Sequence, residues 1–241
     1  TTGFGMLSDH LINLSQIEDL QRNLIRSHSV GVGPYFDETT TRAIMLLRAN
    51  VLSMGYSGVR MEVIRTLVEM INRGVHPLIP EQGSVGASGD LAPLAHLASV
   101  VMGEGEALFQ GKVLPGEKAM KKAGIPPLTL KAKEGLSLIN GTQVMTAIGV
   151  LSLIKAERLC KVADIIWACT LDALKGTLTA FDPDIQRVRP FLGSLSVSKN
   201  FITLFQGSKI AESHKFCSKI QDAYSLRCIP QVHGAVRDCL A

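Results

Sequence analysis

A long apolar stretch, residues 142–180, constrains the fold more than any other part of the sequence. Only Gly149 and Gly176 interrupt its helical pattern, which ends at Asp182 and Pro183, and recurring charges occupy one side. At about 1.5 Å per residue, such a helix exceeds roughly 50 Å in length. A helix with so little polar surface is buried over most of its circumference. The pattern therefore predicts the central rod of a helical bundle or of an oligomer core.

The composition favours the same fold class. Hydrophobic residues make up 46% of the 241 residues and aromatic residues only 5%, and long segments are rich in Leu, Ala, Ile and Met, which favour helices over sheets. We therefore predict an all-α protein, an elongated helical bundle with a mixed, mostly helical N-terminal part. The predicted domains are residues 1–139, which carry the glycine-rich loop described below, and residues 140–241, the first part of a central bundle of long helices.

Capping and helix-breaking residues predict the other elements. Ser15 and Glu18 form a predicted capping box for a first helix that ends near His28. The further predicted elements are helices over residues 38–54 with Asp37 as N-cap, 61–73 with Gly74 as stop, 91–103, 116–123, 194–206 and 210–218, a helix that begins near Val232, and a hairpin over residues 107–114.

The segment 83–96 is the most unusual local pattern. Three of its first seven residues are glycines, which permit backbone angles closed to other residues. Asp90 is a predicted N-cap for the apolar helix that follows, and Pro93 is tolerated in the first turn of that helix. A phosphate cradle is the weaker interpretation, because the segment has neither Gly-Lys-Ser/Thr nor a G-x-G-x-x-G after a strand.

The triplet Ala87-Ser88-Gly89 within this segment permits an unusual covalent reaction. A glycine amide is unhindered enough to attack the carbonyl two residues back, and loss of water from the ring and from the serine hydroxyl leaves an exocyclic methylidene. The product is a backbone-derived electrophile, 4-methylidene-imidazol-5-one (MIO). The simpler interpretation of the same residues is a capped helix behind a glycine loop, and the triplet alone does not decide between the two.

Three polar positions elsewhere are candidates for chemistry. His28 lies at a predicted helix end, where an imidazole can face a cavity, and Asn140 opens the long helix. In the polar segment 221–227, Arg227 can pair bidentately with a carboxylate and the hydroxyl of Tyr224 can donate or accept a proton. The simpler interpretations are a turn with an N-cap at Asn140 and an exposed loop at residues 221–227.

Charge, cysteine and hydropathy patterns exclude several classes of partner. The net charge is +4, but Lys and Arg are scattered among acidic residues, so we expect no nucleic-acid partner. The six histidines and five cysteines show no metal-binding spacing, so we expect no metal and a reduced, cytoplasmic environment. The longest apolar run, near residues 144–154, is shorter than a membrane span, so we expect no membrane partner.

With these residues in view, the chain resembles the MIO-dependent aromatic amino acid ammonia-lyases over essentially its whole length. The match is carried by residues 2–5, 27–33, 83–96, 133–143 and 221–234. The pair Ser27-His28 and the block Tyr224-Ser225-Leu226-Arg227-Cys228 favour the histidine branch of the family. The phenylalanine branch typically has an apolar pair where Ser27-His28 stands.

The resemblance implies an aspartase/fumarase-like helical bundle that assembles as a homotetramer, with active sites built from several subunits. It also implies a role for each candidate residue: Ala87, Ser88 and Gly89 form MIO autocatalytically, Asn140 holds and polarises it, Tyr224 lines the site as a catalytic residue, Gln221 binds substrate, Arg227 takes the substrate carboxylate and His28 faces the substrate imidazole.

The implied reaction is a metal-free, non-oxidative elimination in histidine catabolism, which converts L-histidine to trans-urocanate and ammonia. The catalytic tyrosine of the family falls just before Thr1, Thr1 stands where the family usually has Asn, and an acidic residue from the C-terminal half is absent. We therefore expect this chain to be a fragment that is inactive in isolation. The alternatives are an MIO aminomutase, a lyase for phenylalanine or tyrosine, and a non-catalytic helical assembly protein.

Overall fold

The structure is a computed structural model that describes residues 2–241, so the expectation for Thr1 lies outside the described residues. Helices make up 60% of the chain, which confirms the predicted mostly helical class. The chain divides into two compact units, Thr1–Val150 and Leu151–Ala241. This boundary lies within the longest helix, and the predicted domain boundary at residue 140 stays a prediction.

The first unit combines helices with short strands. Its helices are α1 (Ile17–His28), α2 (Glu38–Ser53), α3 (Met61–Arg73), α4 (Leu91–Val101), α5 (Gly116–Lys122) and α6 (Glu134–Ile139), and 3-10 turns lie at Gly5–Leu7 and Leu14–Gln16. Its strands are β1 (Val32–Tyr35), β2 (His76–Pro77), β3 (Pro80–Gln82), β4 (Glu106–Phe109) and β5 (Lys112–Pro115). All pairings are antiparallel, β1 with β3 and β4 with both β2 and β5, and the β4–β5 hairpin confirms the prediction for residues 107–114.

Helix α4 is the centre of the first hydrophobic core. It packs against α1, α5 and α6, and Leu94, Leu97 and Val101 are fully buried. Because α4 begins directly after the glycine-rich loop, its burial fixes the C-terminal end of that loop. The remaining core side chains come mainly from α2 and α3, namely Ile44, Met45, Leu52, Val63, Leu67 and Met70.

Two of the predicted helix ends are confirmed and the predicted capping box is wrong. The carboxylate of Asp37 accepts the N–H of Thr40 at 2.7 Å, and Gly74 ends α3 with φ +71°. Ser15, however, lies inside a 3-10 turn, so its hydroxyl is not at a helix start, and its N–H donates to the side chain of Asn13. Glu18 pairs with Lys131 instead of capping the helix.

The long helix α7 (Gln143–Ala173) is shorter than predicted. It contains 31 residues, about 46 Å at 1.5 Å per residue, and it ends before residue 180. Lys175 has φ +51°, and the N–H of Gly176 donates to Leu171 at 2.7 Å, where a side chain at position 176 would collide with Leu171. This tight turn ends the helix.

The second unit continues with shorter helices. They are α8 (Pro183–Val188), α9 (Leu192–Leu204), α10 (Lys209–Ser213), α11 (Tyr224–Arg227) and α12 (Ile229–Leu240), with a 3-10 turn at Thr179–Phe181. The sequence predicted the start of α12 too late and α10 too long, and α11 forms in the segment whose simpler interpretation was an exposed loop. Asp182 does not end the long helix but caps α8, because its side chain accepts the N–H of Asp184 at 2.8 Å.

Aromatic stacking and a buried carboxylate hold the second unit together. The rings of Phe181 and Phe201 stack with centroids 4.4 Å apart. Asp164 is one of the recurring charges on the predicted polar side of the long helix, but its side chain is only 1% exposed. Its carboxylate accepts hydrogen bonds from three side chains of α9 and α12: Asn200 at 2.8 Å, His233 Nδ1 at 2.8 Å and Arg237 at 2.6 Å.

The helical stretch Glu134–Ala173 is long and apolar enough, by length and composition, to cross a membrane. The prediction from sequence was based on the longest uninterrupted run of apolar residues. The mean hydropathy of 1.5 is an average over a window, which can include a few charged residues. The core helix of a soluble protein meets the same criterion, so the stretch is weak evidence for a membrane span.

An ion pair between the buried carboxylate of Glu134 and the exposed Arg60 fixes the start of α6. The Glu134 carboxylate accepts hydrogen bonds from Arg60 Nε and Nη2, both at 2.8 Å, and from the backbone N–H groups of Arg60 at 3.0 Å and Lys131 at 2.7 Å. Burial alone would raise the pKa of Glu134, but these donors outweigh it and hold the pKa below its ordinary value of 4.5.

We expect Glu134→Gln to destabilise the protein at neutral pH by about 1.5–3 kcal/mol, the range for hydrogen bonds to a charged group. Because the folded-state pKa is depressed, the stabilisation is fully present above the unfolded-state pKa and is lost as pH falls through the lower folded value. The free energy of unfolding, measured with urea from about pH 7 to pH 3, should therefore depend less on pH for the variant than for the wild type. The exposed Glu117→Gln is the control, and identical profiles for Glu134→Gln and the wild type would contradict this assignment.

Candidate active site

The loop at residues 83–89 has a strained backbone. Ser88 has φ +61°, a left-handed conformation that is uncommon outside glycine, and Gly86 and Gly89 have φ of +69° and +93°. Ala87 and Ser88 are exposed. A side chain at Gly89 would collide with the backbone of Gly141, so only glycine fits there.

The turn after α6 lies directly against this triplet. The side-chain oxygen of Asn140 lies 3.4 Å from Ser88 Oγ, and the N–H of Asp90 donates to the carbonyl of Gly141 at 2.7 Å. The structure therefore places Asn140 beside the Ala87-Ser88-Gly89 triplet, although the two segments are some fifty residues apart in sequence.

Asp90 does not cap α4 with its side chain, and the prediction that it would was wrong. Its carboxylate, 1% exposed, accepts Ser84 Oγ at 2.8 Å and the N–H groups of Val144 and Met145, both at 3.0 Å. The N3 position of α4 is Pro93, which has no N–H to offer a capping side chain. Asp90 therefore caps α7 and ties the start of that helix to the loop.

Arg48 is a residue of this site that sequence reasoning missed. It lies on α2, is 2% exposed, and its guanidinium donates to Gln143 Oε1 at 2.5 Å, to the carbonyl of Asn140 at 3.3 Å and to the carbonyl of Ser137. Burial lowers the pKa of Arg48 to about 10, so it remains cationic at neutral pH. The available signal was a charged residue on the otherwise apolar face of α2.

His28 lies at the end of α1 with a defined tautomer. Its Nδ1 lies 2.8 Å from the carbonyl of Leu24, which can only accept, so Nδ1 carries the proton. Among residues 2–241 its Nε2 has no hydrogen-bond partner, and it can accept a hydrogen bond from a ligand.

His96 fixes the segment that follows His28. Its Nε2 accepts the N–H of Gly31 at 3.0 Å, and burial lowers the pKa of His96, which favours the neutral ring. A side chain at Gly83, the first residue of the loop, would press against Gly31. The segment after His28 therefore packs at the base of the loop. This contact gives His96 a structural role.

Gln221, Tyr224 and Arg227 lie in the second unit, whereas the triplet, Asn140 and His28 lie in the first. Gln221 and Arg227 line a cavity of about 350 Å³, and Tyr224 is 72% exposed. Arg227 Nε donates to the carbonyl of Asp222 at 3.0 Å, and the guanidinium lies 5.7 Å from the centroid of the Tyr224 ring. Within residues 2–241 the terminal nitrogens of Arg227 make no hydrogen bond and are available to a carboxylate.

Asp222 anchors this segment. Its buried carboxylate accepts the N–H of Thr177 at 2.7 Å and pairs with Lys219 at 2.6 Å. Burial opposes ionisation, but Lys219 and Thr177 outweigh it and lower the pKa of Asp222. The anchored segment presents Gln221 and Arg227 from a fixed backbone.

The triplet geometry fits the formation of an MIO group. Ser88 presents its hydroxyl at the surface beside an amide, and Gly89 offers an unhindered nitrogen at a position where only glycine fits. The part of the chain that the structure describes contains no group of three His, Cys, Asp or Glu side chains able to hold a metal ion.

Comparison with known proteins gives consistent results. A family model described as aromatic amino acid lyase matches residues 1–241. The histidine ammonia-lyases of Koribacter versatilis and Alkaliphilus oremlandii are 58% and 55% identical over 240 residues, which cover 100% of this chain and 46% and 47% of the relatives. The chain thus spans about half the length of the curated relatives it matches.

Solved structures agree with the sequence comparison. The phenylalanine aminomutase of Pantoea agglomerans matches with a TM-score of 0.90 at 36% identity, covering 99% of this chain and 49% of that chain. The histidine ammonia-lyase of Trypanosoma cruzi matches with a TM-score of 0.87 at 39% identity, covering 99% of this chain and 44% of that chain. These neighbours have the helical aspartase/fumarase-like fold, which confirms the predicted fold class. The chain belongs to the aromatic amino acid lyase family.

Proposed function

We propose that this chain acts in a histidine ammonia-lyase, which eliminates ammonia from L-histidine to give trans-urocanate. The observation that carries the proposal is the strained Ala87-Ser88-Gly89 turn packed on Gly141, in a chain 50–58% identical to histidine ammonia-lyases. The other site assignments belong to this proposal: Asn140 and Tyr224 as catalytic residues, and His28, Gln221 and Arg227 as substrate-binding residues.

The triplet is the proposed source of the prosthetic group, with no metal. In its formation Gly89 N bonds to the carbonyl carbon of Ala87, and two waters leave. The group supplies an electrophile for the substrate amino group, which makes ammonia a better leaving group. Asn140, 3.4 Å from Ser88 Oγ, holds the triplet in place through its side-chain amide.

Substrate recognition follows from the free donor and acceptor groups. In the tautomer that carries its proton on Nδ1, the Nε2 of His28 can accept the N–H of a substrate imidazole, and the terminal nitrogens of Arg227 can donate to its carboxylate. Gln221 lies beside Arg227 in the lining of the same cavity.

An aminomutase is the second candidate function, favoured by the structural match to the phenylalanine aminomutase. Both reactions begin with removal of the amino group, and they differ in whether ammonia returns to the β-carbon. Product analysis after incubation of the complete protein with histidine, phenylalanine and tyrosine separates the two, because a lyase accumulates the unsaturated acid.

We also propose a homotetramer with shared active sites in the cytoplasm, without a nucleic-acid or membrane partner. The middle of α7 exposes large apolar side chains, which soluble proteins cover by association. Unpaired thiols at all five cysteines support a reducing compartment. Large apolar side chains exposed in the middle of α7 are Ile148, Val150, Leu153, Ile154, Leu159, Val162, Ile165 and Ile166.

We expect Ser88→Ala to reduce lyase activity by several orders of magnitude, because the methylidene carbon comes from the serine. The intact mass of the wild type should lie below its sequence mass by two water molecules, and the variant should show no such loss. Ser53→Ala, at an exposed serine of α2, is the control. Substantial turnover by Ser88→Ala would refute the role of the triplet.

We expect His28→Leu to lower kcat/KM for histidine by roughly ten- to hundredfold, equivalent to about 1–3 kcal/mol for a lost buried hydrogen bond. Turnover of phenylalanine, measured on the same preparation, should fall much less and serves as the internal control. Unchanged histidine kinetics would assign His28 a purely structural role at the end of α1.

We expect light scattering of the complete protein to give the mass of four chains. Leu159→Glu should shift this mass towards smaller species, because Leu159 is 67% exposed on α7 and a charge there opposes burial. The exposed Lys118→Glu on α5 is the control for added negative charge. A soluble, active monomer would contradict both the tetramer and the shared site.

A further inference from the structure

Arg48 is a buried cation whose partners are all neutral. Its guanidinium bonds the side chain of Gln143 and the carbonyls of Ser137 and Asn140, and among residues 2–241 it pairs with no carboxylate. Its Nε is buried without a hydrogen-bond partner. A buried, unpaired charge is costly to the fold. Packing of α2 alone therefore does not account for an arginine at this position.

The three acceptors of Arg48 surround a single turn. Ser137 lies in α6, Asn140 follows the last residue of α6, and Gln143 is the first residue of α7. Gly141 lies between them, and a side chain there would overlap with the guanidinium and with Gln143. The cation therefore packs directly on the backbone of the turn.

The same turn also contacts the triplet. The Asn140 amide meets Ser88, the Gly141 carbonyl accepts the N–H of Asp90, and Gly89 packs on Gly141 without room for a side chain. The guanidinium of Arg48 thus contacts the turn, and the turn contacts the triplet. A displacement of the guanidinium would therefore shift the turn on which Gly89 packs, because neither Gly89 nor Gly141 has room for a side chain.

We propose that Arg48 is a positioning residue for formation of the prosthetic group, which holds the turn at Asn140 and Gly141 so that the triplet is compressed into the conformation that cyclises. The inference rests on the proposed function. In the reaction the nitrogen of Gly89 bonds to the carbonyl carbon of Ala87. The carbonyl oxygen leaves as water with the amide protons of Gly89 and Ser88, and the hydroxyl of Ser88 leaves as a second water with its α-proton. Arg48 makes and breaks no bond.

The test measures water loss rather than activity. Arg48→Met and Arg48→Lys are made in the complete protein, and the fraction of chains lighter by two waters is followed by intact mass after synthesis. Methionine removes all donors, and a lysine ammonium cannot reproduce the planar fork that spans the three acceptors. Ring formation should slow on the order of a hundredfold, the effect of a misplacement of about 1 Å.

Arg42 provides the matched control. It lies on the same helix and is half-buried, and its guanidinium donates to the carbonyl of Ile71 at 2.9 Å and lies 3.1 Å from His76 Nε2. Arg42→Met should therefore affect stability without affecting water loss. Circular dichroism establishes that each variant is folded. Methylguanidinium added to folded Arg48→Ala should restore water loss, which a general loss of stability would not allow.

The outcomes are distinguishable. A folded Arg48→Met that loses both waters at the wild-type rate overturns the proposal. If Arg48→Met does not fold, Arg48→Lys decides, and a folded Lys variant with the wild-type rate overturns it equally. A wild-type protein that keeps its full sequence mass refutes the proposed function itself, and the role of Arg48 falls with it.

Discussion

The close approach of two backbone segments at Gly89 and Gly141 is the constraint on which the site depends. Neither position has room for a side chain, and the carbonyl of Gly141 accepts the N–H of the next residue, Asp90. This contact joins the loop before α4 to the turn before α7. A segment that cannot move away from its neighbour can hold the left-handed conformation of Ser88, which costs about 1–3 kcal/mol on its own.

Two buried charges of opposite sign stabilise this contact from different sides. Asp90 accepts the first N–H groups of α7, where the helix dipole favours a negative charge. Arg48 bonds the carbonyls at the end of α6, where the dipole favours a positive charge. In the second unit, Asp164 and Asp222 likewise fix backbone and helices through several donors each. Buried charge in this protein therefore serves to fix the position of chain segments.

Local signals predicted the elements that depend on local contacts. Helix α3 has the predicted bounds because Gly74 supplies its left-handed end, and Asp37 caps α2 as its sequence position indicates. The role of Asp90 could not be predicted from neighbouring residues. Pro93 has no N–H for its carboxylate to accept, and the carboxylate instead accepts the N–H groups of residues 144 and 145. Arg48 contacts a turn that lies almost a hundred positions away in the sequence. The sequence therefore showed only a charged residue on the apolar face of α2.

Helix α7 links the chemistry to the proposed assembly within a single element. Near its start Val144 and Ala147 are buried in the first unit and Asp90 caps the helix, and near its end Ala168 and Leu171 are buried. Between these ends, Leu159 and Ile166 remain exposed by 67% and 58%. The ends are held by the chain itself, while the apolar middle stays exposed. In the proposed assembly, a partner that covers this middle would also restrain the helix whose N-terminus Asp90 binds, so association and the rigidity of the site are coupled through α7.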